Sequence, residues 1–311
     1  MNISAFCRVV VALLTSAIWF NDAAQSAEPK VVVTIKPIHA LVVGIMEGVG
    51  APHLVVDGTS SPHTFTLRPS GAKAISEADV FIRVSEQLEP FTAKIVRALP
   101  THVKVMSLID TPGVQVLPQR TSETFEGQHS HVTSHSDNKG TADSHIWLDT
   151  ENAKAIVAEV ARALGQSYPE SAAKFESNAR VVRAKVDALS AEIEARLAPV
   201  KGKPFIVFHD ALQYFERRFT LPAAGSVTVS PDVQPSAKRI SAVHKKIATL
   251  GAVCVFAEPS LQPKLVSAVI EGSLAKSGTL DPEGTALSAA GAEHYFQLMR
   301  NLASNLRSCL S

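Results

Sequence analysis

Val31-Val32-Val33-Thr34-Ile35 is an unbroken run of β-branched residues with no charged position. A strand with one face in water alternates apolar and polar residues, so this run suits a strand covered on both faces, as in a parallel sheet flanked by helices. The residues that follow support the reading. A helical pattern occupies Ile38–Glu47, and His53–Val56 forms a second short strand. Pro69-Ser70-Gly71 opens a helix with Ser70 as its candidate cap. Val80–Val84 is a strand, Pro90–Leu99 a helix and Val103–Leu108 a strand. Strand and helix in alternation imply a mainly parallel sheet.

The same plan returns in the second half. Phe205–Phe208 reads as a strand with a helix from about Ala211, and Ser226–Val229 as a short strand. Pro235-Ser236 opens a helix to Leu250, and Val253–Ala257 is a strand. A helix at Pro263–Leu274, a strand at Gly278–Leu280 and a closing helix at Gly291–Leu306 follow. Between the halves, Asp149–Leu164 looks helical, and a longer helix runs from Pro169 to Leu197. Its apolar positions Phe175, Ala179, Val182, Val186, Leu189, Ile193 and Leu197 step by three or four, and Pro199 and Gly202 end it. The expected fold class is therefore α/β: two lobes, each a mainly parallel sheet flanked by helices, joined by one long backbone helix. The expected divisions are a first lobe over 28–165, a linking helix over 166–200 and a second lobe over 201–311.

With 311 residues the chain is long for one core and suits two. A formal net charge of +1 gives no electrostatic reason to expect nucleic acid as a partner. The first 27 residues differ from the rest. Arg8 precedes the apolar run Val9–Phe20, and small residues Ala23-Ala24-Gln25-Ser26-Ala27 follow. That is the pattern of a secretory signal over 1–27, with an uncleaved membrane anchor as the alternative. Its removal leaves Cys254 and Cys309. An even pair in an oxidising compartment favours a disulfide, worth roughly 2–4 kcal/mol, over two buried thiols or zinc ligands. The segment 119–144 breaks the strand–helix pattern. It is rich in Ser and Thr and carries His129, His131 and His135, so it reads either as a plain solvated loop or as a weak second metal site.

Four ligand-type side chains fall just beyond strands or just before a helix. His63 lies in Ser61-Pro62-His63-Thr64-Phe65, and His145 in His145-Ile146-Trp147-Leu148-Asp149. His209 ends Phe205-Ile206-Val207-Phe208, and Asp281 ends Gly278-Thr279-Leu280. In open α/β sheets, ligands bind outside the carboxyl ends of strands. Two of these residues come from each half, so a cleft between lobes would gather all four. Three imidazoles and one carboxylate suit a four-coordinate zinc ion, whereas calcium or magnesium would want more oxygen donors. Taken singly, each histidine has an ordinary core or loop role as its alternative, which is the reading kept for His39, His53, His102, His244 and His294. Glu258 reads as structural, an ion-pair partner or helix cap. Asp149 and Asp210 read as caps or as acceptors behind the ligands.

At these residues the chain resembles the zinc-uptake periplasmic solute-binding proteins of bacterial ABC transporters. The resemblance rests on Ser61-Pro62-His63 with Leu67-Arg68-Pro69-Ser70, on His145-Ile146-Trp147-Leu148, and on Phe208-His209-Asp210-Ala211 with Tyr214-Phe215. Cys254-Val255-Phe256-Ala257-Glu258-Pro259 and Gly278-Thr279-Leu280-Asp281-Pro282 complete it. It implies a non-enzymatic protein, monomeric and periplasmic, that captures Zn2+ and delivers it to an inner-membrane ABC permease and its ATPase. It also implies His63, His145 and His209 as ligands, Asp281 facing the same cleft as a direct or water-replaced fourth donor, and a Cys254–Cys309 bridge. A histidine at position 209, where manganese-binding relatives carry a carboxylate, tilts the choice to zinc. The competing readings are a solute-binding protein for manganese or another divalent metal, a metal-dependent adhesin, and a secreted zinc hydrolase with Asp281 or Glu258 as general base. No HExxH pattern supports the last.

Overall fold

The computed structural model describes residues 28–120, 141–228, 234–251, 253–259, 263–288 and 290–311. The signal pattern over 1–27 and His129, His131 and His135 lie outside the described residues. The first sheet is built from β1 (Val31–Val33), β2 (His53–Leu54), β3 (Val80–Arg83) and β4 (Lys104–Ser107), in the order β2-β1-β3-β4 with every pair parallel. Its connections carry α1 (Lys36–Met46), α2 (Pro69–Ser76) and α3 (Thr92–Arg97). All three residues of β1 are buried, as the β-branched run requires of a strand covered on both faces.

The second sheet repeats the plan. It contains β5 (Phe205–His209), β6 (Gly225–Thr228), β7 (Cys254–Ala257) and β8 (Lys276–Thr279), in the order β6-β5-β7-β8, again all parallel. Between the sheets run α4 (Thr150–Ser167) and α5 (Ala172–Leu197), and the second half adds α6 (Gln213–Phe219), α7 (Ala237–Leu250), α8 (Pro263–Ile270) and α9 (Glu293–Leu310).

The 26 residues of α5 span about 39 Å at the usual helical rise. Every apolar position of its three-or-four repeat is buried, from Phe175 to Leu197. Asn178 sends its side-chain amide to the carbonyls of Ile45 and Glu47 and so closes the end of α1. Helix α1 approaches so closely that a Cβ at Gly44 would meet Val182 Cγ2 at 2.8 Å. One continuous apolar core runs from β1 and β3 through α1, α4 and α5 to β5, α6, β7 and α9. Shared packing of this kind resists large relative rotation of the two halves, because sliding them would open cavities in a close-packed interior. A disulfide between Cys254 in β7 and Cys309 in α9 adds a covalent tie within the second half.

Two local readings change. The start of α2 is fixed by Pro69 at its first turn with Arg68 as the flanking residue, so Ser70 lies inside the helix and does not cap it. Asp210 caps no helix and forms an ion pair described below. Asp149 does cap α4 by accepting from Glu151 N–H at 2.7 Å, and also pairs with Arg218. No helix among the described residues is long and apolar enough to cross a membrane.

Candidate metal centre

The carboxyl ends of the two sheets face a common interior, and three histidines meet there. His63 lies in the loop between β2 and α2, where Thr64 N–H closes a turn onto Ser61 O. His145 immediately precedes a single 3₁₀ turn, Ile146–Leu148, that leads into α4. That turn is tightly held: Trp147 is fully buried, its indole N–H donates to Pro282 O at 2.9 Å, and its carbonyl accepts from Tyr295 OH at 3.0 Å. His209 is the last residue of β5.

One ring nitrogen from each of the three lies within 4.8 Å of the other two, the only such group of His, Cys, Asp and Glu among the described residues. The Nε2 atoms of His145 and His209 are 3.4 Å apart. For zinc with four tetrahedral ligands at 2.0–2.1 Å, the separation between two donor atoms is about 3.3–3.4 Å. The pair is therefore spaced as one edge of a zinc coordination tetrahedron. His63 Nε2 is buried and has no hydrogen-bond partner among the described residues. A buried imidazole nitrogen left in that condition is costly in an ordinary core and useful as an electron-pair donor.

The rings of His145 and His209 are each gripped from behind. Asp143 Oδ1 accepts from both Nδ1 (2.7 Å) and the main-chain N–H (3.0 Å) of His145. Glu258 Oε1 accepts from His209 Nδ1 and from the His209 main-chain N–H at 3.3 Å. With Nδ1 occupied, Nε2 is the free donor on both rings. Burial, and then the neighbouring imidazoles of His145 and His209, push His63 down to about 2, so it stays neutral. Burial acts against charge on His209 too, but the attraction of Glu258 outweighs it and the pKa is raised.

Asp281 is placed differently from the histidines. Its carboxylate accepts from Ala286 N–H at 2.8 Å and from Thr285 Oγ1, which organises the loop after β8, and it is not in the three-histidine group. The other histidines also lie outside that group. The His39 ring hydrogen-bonds Pro52 O, that of His244 hydrogen-bonds Glu271 O, His53 and His102 are exposed, and His294 is buried in α9.

Sequence reading missed what Asp143 does, and it offered Glu258 as an ion-pair partner without naming what it pairs with. Glu258 has a partner in the imidazole of His209, and the reason is register. Phe205 pairs with Cys254 and Ile206 with Val255 in the parallel β5–β7 ladder, so counting three residues further sets His209 beside Glu258. Asp143 is two residues before His145, a spacing that lets a carboxylate fold back onto the ring and the N–H of the same residue. Around Asp143, the stem of the 119–144 segment docks on α6. Gln119 N–H donates to Thr141 O and Asp143 N–H to Leu117 O, both at 2.8 Å. Tyr214 OH accepts from Leu117 N–H (2.9 Å) and donates to Asp143 O (2.7 Å). Arg120 reaches into the second half and pairs with Asp210 and Glu216, all three buried.

The family model for the periplasmic component A of the zinc-uptake complex matches residues 31–309. The chain is 44% identical over 307 residues to the high-affinity zinc uptake system protein ZnuA of Brucella suis biovar 1, covering 90% of this chain and 91% of that protein. It is 34% identical to the corresponding protein of Paracoccus denitrificans over 92% of this chain and 93% of that one. Among solved structures, a crystal structure of ZnuA superposes with a TM-score of 0.73 at 21% identity, covering 90% of this chain and 99% of that one. The laminin-binding protein Lmb of Streptococcus agalactiae gives 0.74 at 22% identity, over 90% and 98%. These structural likenesses show the fold.

Proposed function

This chain belongs to the family of periplasmic zinc-uptake component A proteins, and we propose that it holds its cargo ion on the Nε2 atoms of His63, His145 and His209. It is a high-affinity zinc-uptake binding protein, a transport component and not an enzyme. The observation that carries the ligand assignment is the 3.4 Å spacing of two imidazole nitrogens beside a third that is buried and unpartnered. Three nitrogen donors favour zinc over manganese, which suits carboxylate and water oxygens better.

The fourth position falls to Asp281 or to a water. For Asp281 to take it, the carboxylate would have to exchange its bonds to Ala286 and Thr285 for the metal. We further read residues 28–165 and 201–311 as the two lobes and 166–200 as the link, with the chain working in the periplasm as a monomer. Its partners are an inner-membrane ABC permease and that permease's ATPase. Because the halves share one core, uptake and release would proceed with little lobe movement. Zinc titration of wild type and His209→Ala by chelator competition tests the assignment. Loss of affinity by orders of magnitude supports it, and unchanged affinity removes His209 from the site.

A further inference from the structure

We propose that Asp143 and Glu258 are positioning residues that also set the charge preference of the site, a claim that rests on the three-imidazole reading above. Each carboxylate holds one imidazole at two points, the ring Nδ1 and the main-chain N–H of the same residue. Two-point attachment fixes both the direction of the ring and the nitrogen that stays free. Both carboxylates are buried, so they are fixed charges with little solvent to screen them. Asp143 is itself braced from α6: the Gln213 side-chain amide, with its NH2 toward Asp143, donates to Oδ2 at 3.0 Å, and Tyr214 OH donates to the Asp143 carbonyl.

The charge consequence follows from the donor set. Three neutral imidazoles contribute no charge, so with water in the fourth position a bound dication would sit in a buried site at its full +2. Asp143 and Glu258, one behind each of two ligands, bring the immediate ensemble to neutrality. Among the described residues His63 has no such partner, and its Nε2 is unpartnered. A fixed negative charge attracts a dication twice as strongly as a monocation at the same position. The two carboxylates therefore favour Zn2+ over Cu+, a discrimination that imidazole alone does not provide, since nitrogen donors accept both metals.

Asp143→Asn and Glu258→Gln keep size and an acceptor oxygen while removing the charge. Affinities of the full chain for Zn2+ and Cu+ would be measured by competition with chromophoric chelators, beside wild type and His209→Ala. Metal-free melting curves confirm that each variant is folded. The expected result is a 10–100-fold loss of Zn2+ affinity in each variant, with Cu+ affinity falling only about 3–10-fold, the square root of the zinc effect. Equal losses for both metals would reduce the carboxylates to geometric supports and overturn the charge claim. Wild-type Zn2+ affinity in both variants would overturn the positioning claim as well, while a zinc-deficient His209→Ala would still uphold the site. A His209→Ala protein that binds zinc normally would instead sink the three-imidazole reading. Should Glu258→Gln not fold, Asp143→Asn alone decides, because its carboxylate lies outside the sheets.

Discussion

Arg120→Met should destabilise the metal-free protein by about 3–5 kcal/mol at pH 8, and the deficit should shrink on acidification. Arg120 donates from Nε to both oxygens of Asp210 (3.0 and 2.9 Å) and from Nη1 and Nη2 to Glu216 (2.9 and 3.0 Å). The three residues are 8%, 5% and 4% exposed. Methionine fills much of the same space but leaves two carboxylates buried together with no cation. Breaking a buried pair from one side costs about 3–5 kcal/mol, because the remaining charge is uncompensated. The pH dependence has a definite sign. Burial already raises the Glu216 pKa, and Arg120 is the main influence pulling it back down. Without Arg120 it rises further. A group whose folded pKa lies above its unfolded value contributes stability that is full below the unfolded pKa and lost as pH rises through the folded one. The variant is thus weakest at pH 8 and regains about 1.4 kcal/mol for each pH unit in which the folded state alone takes up the proton. Urea unfolding of wild type and variant at pH 8 and pH 5.5, with EDTA present, reads both quantities. A deficit below about 1 kcal/mol at pH 8 would refute the reasoning, since it lies well under the cost of an orphaned buried charge. A deficit that grows toward acid would refute it equally.

Zinc affinity should fall by about one decade per pH unit as the solution is acidified below the raised pKa of His209, because the ring must shed its proton to coordinate. His63, held neutral down to about 2, adds nothing to that slope. Calorimetry from pH 8 to 5.5 showing an affinity that does not fall toward acid would contradict this. Tyr214→Phe removes a hydroxyl that pairs with both Leu117 N–H and Asp143 C=O, and should cost about 2–4 kcal/mol in chemical denaturation, as two buried backbone groups lose their partner. A cost under 0.5 kcal/mol would show that the stem is not held there. Replacing Cys254 and Cys309 together by serine should cost roughly 4 kcal/mol, from the 55-residue loop that the bridge closes. An unchanged urea midpoint would mean that the bridge does not constrain the unfolded chain.

Much of this architecture can be read from local pattern, and the reasons are visible in particular residues. The run at Val31–Val33 and the repeat from Phe175 to Leu197 are periodic signals that need no knowledge of tertiary contacts, and both are buried as expected. His63, His145 and His209 stand out because each falls where a strand or turn delivers its end to a cleft, and because the motifs around them resemble those of one family. What the pattern does not carry is pairing between distant segments. Glu258 looks like any acidic residue after a strand until β5 and β7 are known to be neighbours in register. Arg120 sits in a polar stretch that reads as solvated loop, yet it is buried because Asp210, just after β5, and Glu216, on α6, bring two carboxylates to meet it. Asp281 falls after β8 as the pattern suggests, but the pattern does not show that its carboxylate also accepts from the N–H and hydroxyl of its own loop. Position along a strand tells which end a side chain occupies, and only the packed neighbours decide what it touches.

The central claim concerns where a single cation sits. A crystal of the zinc-loaded chain, with anomalous scattering recorded on both sides of the zinc edge, tests it most directly. The account predicts one strong peak in the interior between the sheets, about 2.0–2.1 Å from a ring nitrogen of each of His63, His145 and His209. A peak anywhere else, or one at this place that lacks any of those three imidazoles as a ligand, would contradict it.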